Sequence, residues 1–306
     1  MTHESTHAAT AAAAAPAYMT TGEVAAYLRL KERKVYDLAR QGVIPCIKIT
    51  GKLLFPRDAI DHWLMSHLEG DQAPARDVAA ILGGSHDPLL DWAVRETGHE
   101  LAMRCRGSAD GAHQLLSGDV MVAGIHVIDT VTGEHNRPES LGLAGMRDLL
   151  MIRWARRRQG LLVAPGNPAG VATLADLARL QLRVGQRQPE AGAHRLLQWL
   201  MHQAGIPPEE IGFAGEPALS EDDLALAIRQ GRVDAGLAVE ASARRHGLGF
   251  LPLYTEPFDL ALRRRSYFEP PIQRLLEFAR GERCRRHAEA LGGYDLSGTG
   301  EVIYNA

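Results

Sequence analysis

Apolar positions along the chain change rhythm near residue 77. Before it, short helical patterns alternate with turn signals. Val24, Ala25 and Leu28 recur at helical spacing behind the hydroxyls of Thr20 and Thr21, which predicts a short capped helix. Lys31–Arg40 predicts a second helix, with Val35, Leu38 and Ala39 inward and Arg33, Lys34, Asp37 and Arg40 on other faces, stopped by Gly42 and Pro45. Ile47-Lys48-Ile49 and Leu53-Leu54-Phe55 flank Thr50-Gly51-Lys52 as a hairpin would. Pro56 then opens a third helix carrying Ile60, Trp63 and Leu64.

From Asp77 onward short apolar runs alternate with amphipathic stretches. Strands are expected at Val78–Leu82, Asp119–Ala123, Leu161–Ala164, Arg183–Gly185 and Asp234–Ala238. Helices are expected at Asp91–Gly98, Leu174–Leu180 (N-capped by Thr173), Ala193–Ala204 and Asp222–Gly231. Such alternation predicts an α/β domain with a mostly parallel sheet. Between the two regimes, residues 66–76 are polar with Gly and Pro and read as a linker, and residues 1–17 read as a disordered tail.

With 306 residues, 45% hydrophobic and 23% charged, the chain buries sizeable cores without staples. The net charge of -3 conceals an asymmetry: residues 18–65 hold eight Lys/Arg against five Asp/Glu, so the remainder is acidic. A basic unit on an acidic body is the layout of a small nucleic-acid reader joined to something else. The three cysteines form no CxxC pair, which predicts a reducing compartment and neither a disulfide frame nor a zinc site. No signal-peptide pattern and no membrane-length apolar stretch is present, so the expected location is the cytoplasm.

The second predicted helix spans ~15 Å and fits a major groove. Lys31, Arg33, Lys34, Tyr36 and Arg40 on or beside it, with Lys48 and Lys52 on the hairpin, are the candidate DNA contacts. By pattern alone, a solvated amphipathic module stands equally open. The segments Tyr18–Ala25, Val35-Tyr36, Gly42–Pro45, Phe55-Pro56-Arg57 and Ile60–Leu64 resemble the excisionase/MerR-like winged helix-turn-helix family, which implies binding to double-stranded DNA. Lys31 and Glu32 depart from the Ser or Thr usual where such a recognition helix begins.

In the second region, Gly83–Pro88 and Gly107–Gly111 are Gly- and Ser-bearing turns that lead into helices. Turns of this kind present backbone N–H groups to an anion, although many only cap helices. Ser85-His86-Asp87 is no catalytic triad, because triad members converge through space. His86, His113, His126 and His194 lack a zinc spacing. Residues Gly84–Asp87, the Gly107-Ser108 turn, Ser117–His126, Gly160–Pro168, Arg187-Gln188-Pro189, Gly231–Gly236 with Glu240, and Gly293-Tyr294-Asp295 resemble periplasmic-binding-protein-like domains, nearest to those for molybdate and tungstate.

That resemblance implies a multidomain regulator: a small winged helix-turn-helix (18–65) followed by a two-lobed α/β periplasmic-binding-protein-like domain of type II (77–306). Lobe one is expected at 77–162 and 255–306, lobe two at 163–254, with crossover strands near Leu161–Ala164 and Leu251–Tyr254. Candidate ligand contacts are Ser85 and Ser108, joined through the resemblance by His86, His126, Arg187, His194 and Glu240. No catalytic residue, metal or resident cofactor is expected. The effector is expected to be a small anion such as molybdate or tungstate. Glu190–His194 lacks the hydroxyls and arginine the family usually has there, so a carboxylate such as formate stays open, as does an enzyme built on the same cleft. A homodimer or higher homo-oligomer is expected, because one short reader helix covers few base pairs.

Overall fold

The computed structural model describes residues 17–49, 51–66, 78–98 and 100–306. Almost all of the expected tail and linker, and Thr50 of the hairpin, lie outside these residues. The chain divides into two compact units, residues 1–75 and 76–306.

The first unit contains β1 (Tyr18–Met19), α1 (Thr21–Leu28), α2 (Glu32–Arg40), β2 (Ile47–Ile49), β3 (Lys52–Pro56) and α3 (Arg57–Ser66). Thr20 and Glu23 form a reciprocal capping box, in which the Thr20 N–H donates to Glu23 Oε2 at 2.7 Å. Arg29, in the left-handed region at φ 55°, ends α1. Met19, Val24, Val35, Ile44, Phe55 and Ile60 form the buried core. Two sequence expectations change. β1 pairs with β3 to make a three-stranded sheet, and two residues were too short a run to signal it. Pro56 ends β3 instead of opening the helix.

The second unit is α/β. Its first half comprises β4 (Ile81–Gly84), α4 (Pro88–Glu96), β5 (Ala102–Cys105), α5 (Ser108–Ser117) and β6 (Val122–Ile125). A 15-residue strand, β7 (Leu149–Val163), leads on to α6 (Asp176–Arg179), β8 (Arg183–Gly185), α7 (Gly192–Gln203), β9 (Gly212–Phe213), α8 (Glu221–Arg229), β10 (Ala235–Val239) and α9 (Glu240–His246). The second 15-residue strand, β11 (Gly249–Arg263), returns to α10 (Pro270–Arg280), α11 (Glu282–Leu291), β12 (Tyr294–Asp295) and β13 (Val302–Asn305).

β5-β4-β6 form a parallel set that joins one end of β11, and β10-β8-β9 form another that joins the opposite end of β7. β7 and β11 pair antiparallel throughout and tie the two lobes together. The sheet is therefore mixed, not mostly parallel. Each lobe has its own buried core: Leu82, Leu90, Trp154 and Leu275 in lobe one, and Leu161, Leu177, Val184 and Leu237 in lobe two.

The crossover strands are far longer than the runs near Leu161–Ala164 and Leu251–Tyr254 suggested. The middle of β7 holds Arg153, Arg156, Arg157 and Arg158, which breaks its apolar pattern. Three of these four charges are absorbed by ion pairs: Arg153 with Asp259 at 2.5 Å, Arg157 with Asp87 at 2.9 Å, and Arg158 with Glu240 at 2.6 Å. Thr173 does not cap a helix. Its N–H and that of Ala172 donate instead to the carboxylate of Asp176, which opens α6.

Candidate functional site

Two strand-to-helix turns of lobe one place Ser85 and Ser108 together. The first turn is very tight. Gly84 has φ 86°, and a β-carbon there would collide with the backbone of Gly124. Ser85 then donates its N–H to the Gly124 carbonyl at 2.8 Å. The two hydroxyls lie 2.8 Å apart and are buried, and Ser108 Oγ also accepts the His126 N–H at 3.0 Å. One hydroxyl hydrogen of the pair is thus left for a ligand.

These groups border a cavity of about 30 Å3 between the lobes. Ser85, His86, Gly107 and His126 line it from lobe one, and Arg187, Ala191, Ser220 and Glu221 from lobe two. The N-terminal ends of α5, α7 and α8 open on it, with Gly107, Ala191 and Ser220 as their N-cap residues. Three helix dipoles and their first N–H groups make the site receptive to negative charge. Arg187 donates to the carbonyls of Ala218 (3.0 Å) and Leu219 (3.1 Å) and to the Gln188 side-chain oxygen (3.2 Å), and among the described residues no carboxylate hydrogen-bonds it. Burial lowers its pKa, the cost of a cation held in a poorly solvated place without a bonded anion.

A string of buried charges runs from the cavity to the crossover strands. His126 Nδ1 lies 3.2 Å from Glu256 Oε2, and its ring stacks on Phe258. Glu256 pairs with Arg157 and accepts from Gln159 at 2.8 Å. Arg157 donates to Asp87 at 2.9 Å, and Asp87 also accepts from Tyr294 Oη at 2.8 Å and Trp154 Nε1 at 3.2 Å. Burial pushes the Glu256 carboxyl up, yet His126 and Arg157 outweigh it and hold the group below the usual carboxylate range. Burial and Asp87 together push the Tyr294 phenol well above its ordinary value. Sequence reasoning missed Arg157, Glu256 and Glu221. Charged residues inside otherwise apolar strands were the available signal for the first two.

Of the seven predicted ligand contacts, Ser85, His86, His126 and Arg187 line the cavity, and Ser108 lies behind the wall, hydrogen-bonded to the Ser85 hydroxyl and the His126 N–H. His194 and Glu240 do not line it. His194 is the third residue of α7, turned ~200° around the helix axis from Gly192. Glu240 spends its buried carboxylate on Arg158 at 2.6 Å and Arg244 at 2.8 Å. Among the described residues no group of three His, Cys, Asp or Glu could hold a metal ion, and no helix is long and apolar enough to cross a membrane.

The PBP superfamily domain matches residues 92–280. The chain belongs to the PBP superfamily. Two solved structures share the fold of this domain. A phosphate ABC transporter substrate-binding protein from Clostridium perfringens has a TM-score of 0.52 at 10% identity, covering 69% of this chain and 96% of that one. The tungstate ABC transporter protein from Geobacter sulfurreducens has a TM-score of 0.50 at 15% identity, covering 69% and 97%. Over its length the chain is also similar to the uncharacterised protein YvgK of Bacillus subtilis, at 23% identity over 93% of this chain and 97% of that protein.

Ahead of the PBP domain, α2 presents a polar outer face. Lys31, Arg33, Lys34, Tyr36 and Arg40 are all exposed, as are Lys48 and Lys52 on β2 and β3. Arg33, Tyr36 and Arg40 fall at i, i+3 and i+7, on one stripe opposite buried Val35. Glu32 turns back toward α1, its Oε1 only 3.1 Å from where a β-carbon on Gly22 would stand. A helix-turn-helix domain matches residues 18–67. Joined to a PBP domain, this is the domain content of a ligand-responsive DNA-binding regulator.

Proposed function

We propose that the chain is a cytoplasmic transcription regulator whose PBP lobes close on a small oxyanion, and that closure alters how its helix-turn-helix units hold DNA. One observation carries the ligand class: three helix N-termini, the Ser85–Ser108 pair and an arginine without a carboxylate partner meet at a small cavity. Molybdate and tungstate are the oxyanions to which the sequence resemblance points, and control of oxyanion-related genes is the corresponding role. The exposed stripe Arg33, Tyr36, Arg40 supports major-groove contact, with Lys31, Lys34, Lys48 and Lys52 near phosphates. A homodimer on paired half-sites is the expected assembly.

The test is calorimetry of the full chain with molybdate, tungstate, sulfate, phosphate and formate, followed by DNA affinity with and without the anion that binds. The coupling is expected to change DNA affinity by ~5–150-fold. Formate alone binding would move the ligand to the carboxylate class, and binding of none would overturn the sensor reading.

A further inference from the structure

A second, larger cavity lies in lobe one and shares no lining residue with the cleft between the lobes. It is a groove of about 530 Å3, within the ~300–1,000 Å3 of small-molecule sites. After α11 the chain reverses at Gly292 and Gly293, with φ 76° and 75°, and returns through β12 toward Gly300. Arg280, at the end of α10, donates to the Gly300 carbonyl at 3.4 Å, which sets the returning segment beside the start of α11. Ala279, Ala288 and Leu296 give the groove apolar lining, and Arg280, Arg285, Glu289 and Asp295 give it charge.

The charges are sorted by sign. Arg285 donates to the Arg280 carbonyl at 3.1 Å, so the two arginines gather near the start of α11. Glu289 follows Arg285 by one helical turn, ~6 Å along the axis, on the side of the chain reversal that leads to Asp295. The opposite charges share the groove without pairing. Arg285 has its ion pair with Glu282 at 3.6 Å, Asp295 accepts the Ser297 N–H at 2.9 Å, and Glu289 takes no hydrogen bond among the described residues. A ligand with a carboxylate at one end and an ammonium at the other satisfies both ends together, and the α11 dipole favours the same orientation. A free amino acid carries both groups on one carbon and spans too little, whereas an extended chain gains ~3.3–3.6 Å per residue. We propose that this groove binds a short peptide with free termini, its carboxylate on Arg280 and Arg285 and its ammonium on Glu289 and Asp295.

The experiment is calorimetry at pH 7 of the full chain with di-, tri- and tetra-alanine, then with the tightest of these acetylated at its N-terminus or amidated at its C-terminus. The free peptide is expected to bind, and either cap to weaken it by ~10–100-fold, the range one hydrogen bond to a charged group provides. Arg280→Gln with Arg285→Gln is expected to remove the penalty for amidation, and Glu289→Gln the penalty for acetylation. All three residues are exposed, so both variants should melt as the wild type does. Oxyanion affinity at the cleft should stay at the wild-type value in both, since these residues do not line that cavity. Binding of none of the three peptides overturns the proposal, and so does binding that ignores both caps. Wild-type peptide affinity in both variants places the peptide elsewhere on the chain and overturns it as well.

Discussion

Gly192 of lobe two sits against His126 of lobe one so closely that a β-carbon on Gly192 would stand 2.7 Å from both Cε1 and Nδ1 of the imidazole ring. His126 cannot yield easily, because Glu256 holds its Nδ1 and Phe258 backs its ring. The contact belongs to lobes drawn together. Gly192→Ala is therefore expected to keep them apart, with anion affinity falling at least ~10-fold and both lobe cores intact. Calorimetry, with X-ray scattering for lobe separation, checks this. Unchanged affinity and an unchanged scattering curve would show that the cleft accommodates the methyl group.

The two cavity serines are expected to differ. Ser85→Ala removes a ligand-facing hydroxyl and should weaken anion binding by ~10–100-fold with little change in melting. Ser108→Ala also strands the buried His126 N–H, at a further cost of ~1–3 kcal/mol in stability. Thermal melts beside the titrations separate the two effects. Equal melting of the variants would place Ser108 outside any structural role.

Glu256 links stability to pH. Its folded-state pKa lies below the ordinary 4.5, so its stabilising contribution is complete above about that pH and drains away as pH falls through the folded value. Urea melts from pH 7 to pH 3 should show the wild type losing stability below about pH 4.5 more steeply than Glu256→Gln. At pH 7 the variant should be ~3–5 kcal/mol less stable, since it removes one partner of a buried ion pair. Parallel curves for the two proteins would exclude the carboxylate as the source.

On the DNA side, Arg33→Ala with Lys34→Ala is expected to weaken binding to a duplex selected from random sequence by at least ~10-fold. Both residues are exposed, so folding should change by under ~0.5 kcal/mol. Each lost phosphate contact lowers the slope of log affinity against log salt by ~0.9. Identical affinity and slope would remove α2 from the interface.

Much of this architecture was legible beforehand because it rests on local rules. The Thr20 cap, Gly42 and the hairpin around Gly51 mark the helix-turn-helix by backbone preference alone. The alternation of apolar runs and helices after residue 77 marked an α/β domain, and the Gly-Ser turns marked where helix N-termini would collect. The full length of β7 was not legible. Its arginines interrupt the apolar run, and their partners Asp87, Glu240 and Asp259 come from segments distant in sequence.

The sequence by itself determined the two units and the turns that hold Ser85 and Ser108, because those depend on neighbours in the chain. Only the tertiary structure decided which charges meet. Arg157 lies 70 residues from Asp87 and 99 from Glu256, and His126 lies 130 from Glu256. The same packing placed Glu221 at the cavity wall and fastened Glu240 to Arg158 and Arg244, so two glutamates that each begin a helix acquired different surroundings. Spacing along a chain fixes the face a residue occupies on its own element. Which surface that face meets follows from how the two long strands bring distant segments together.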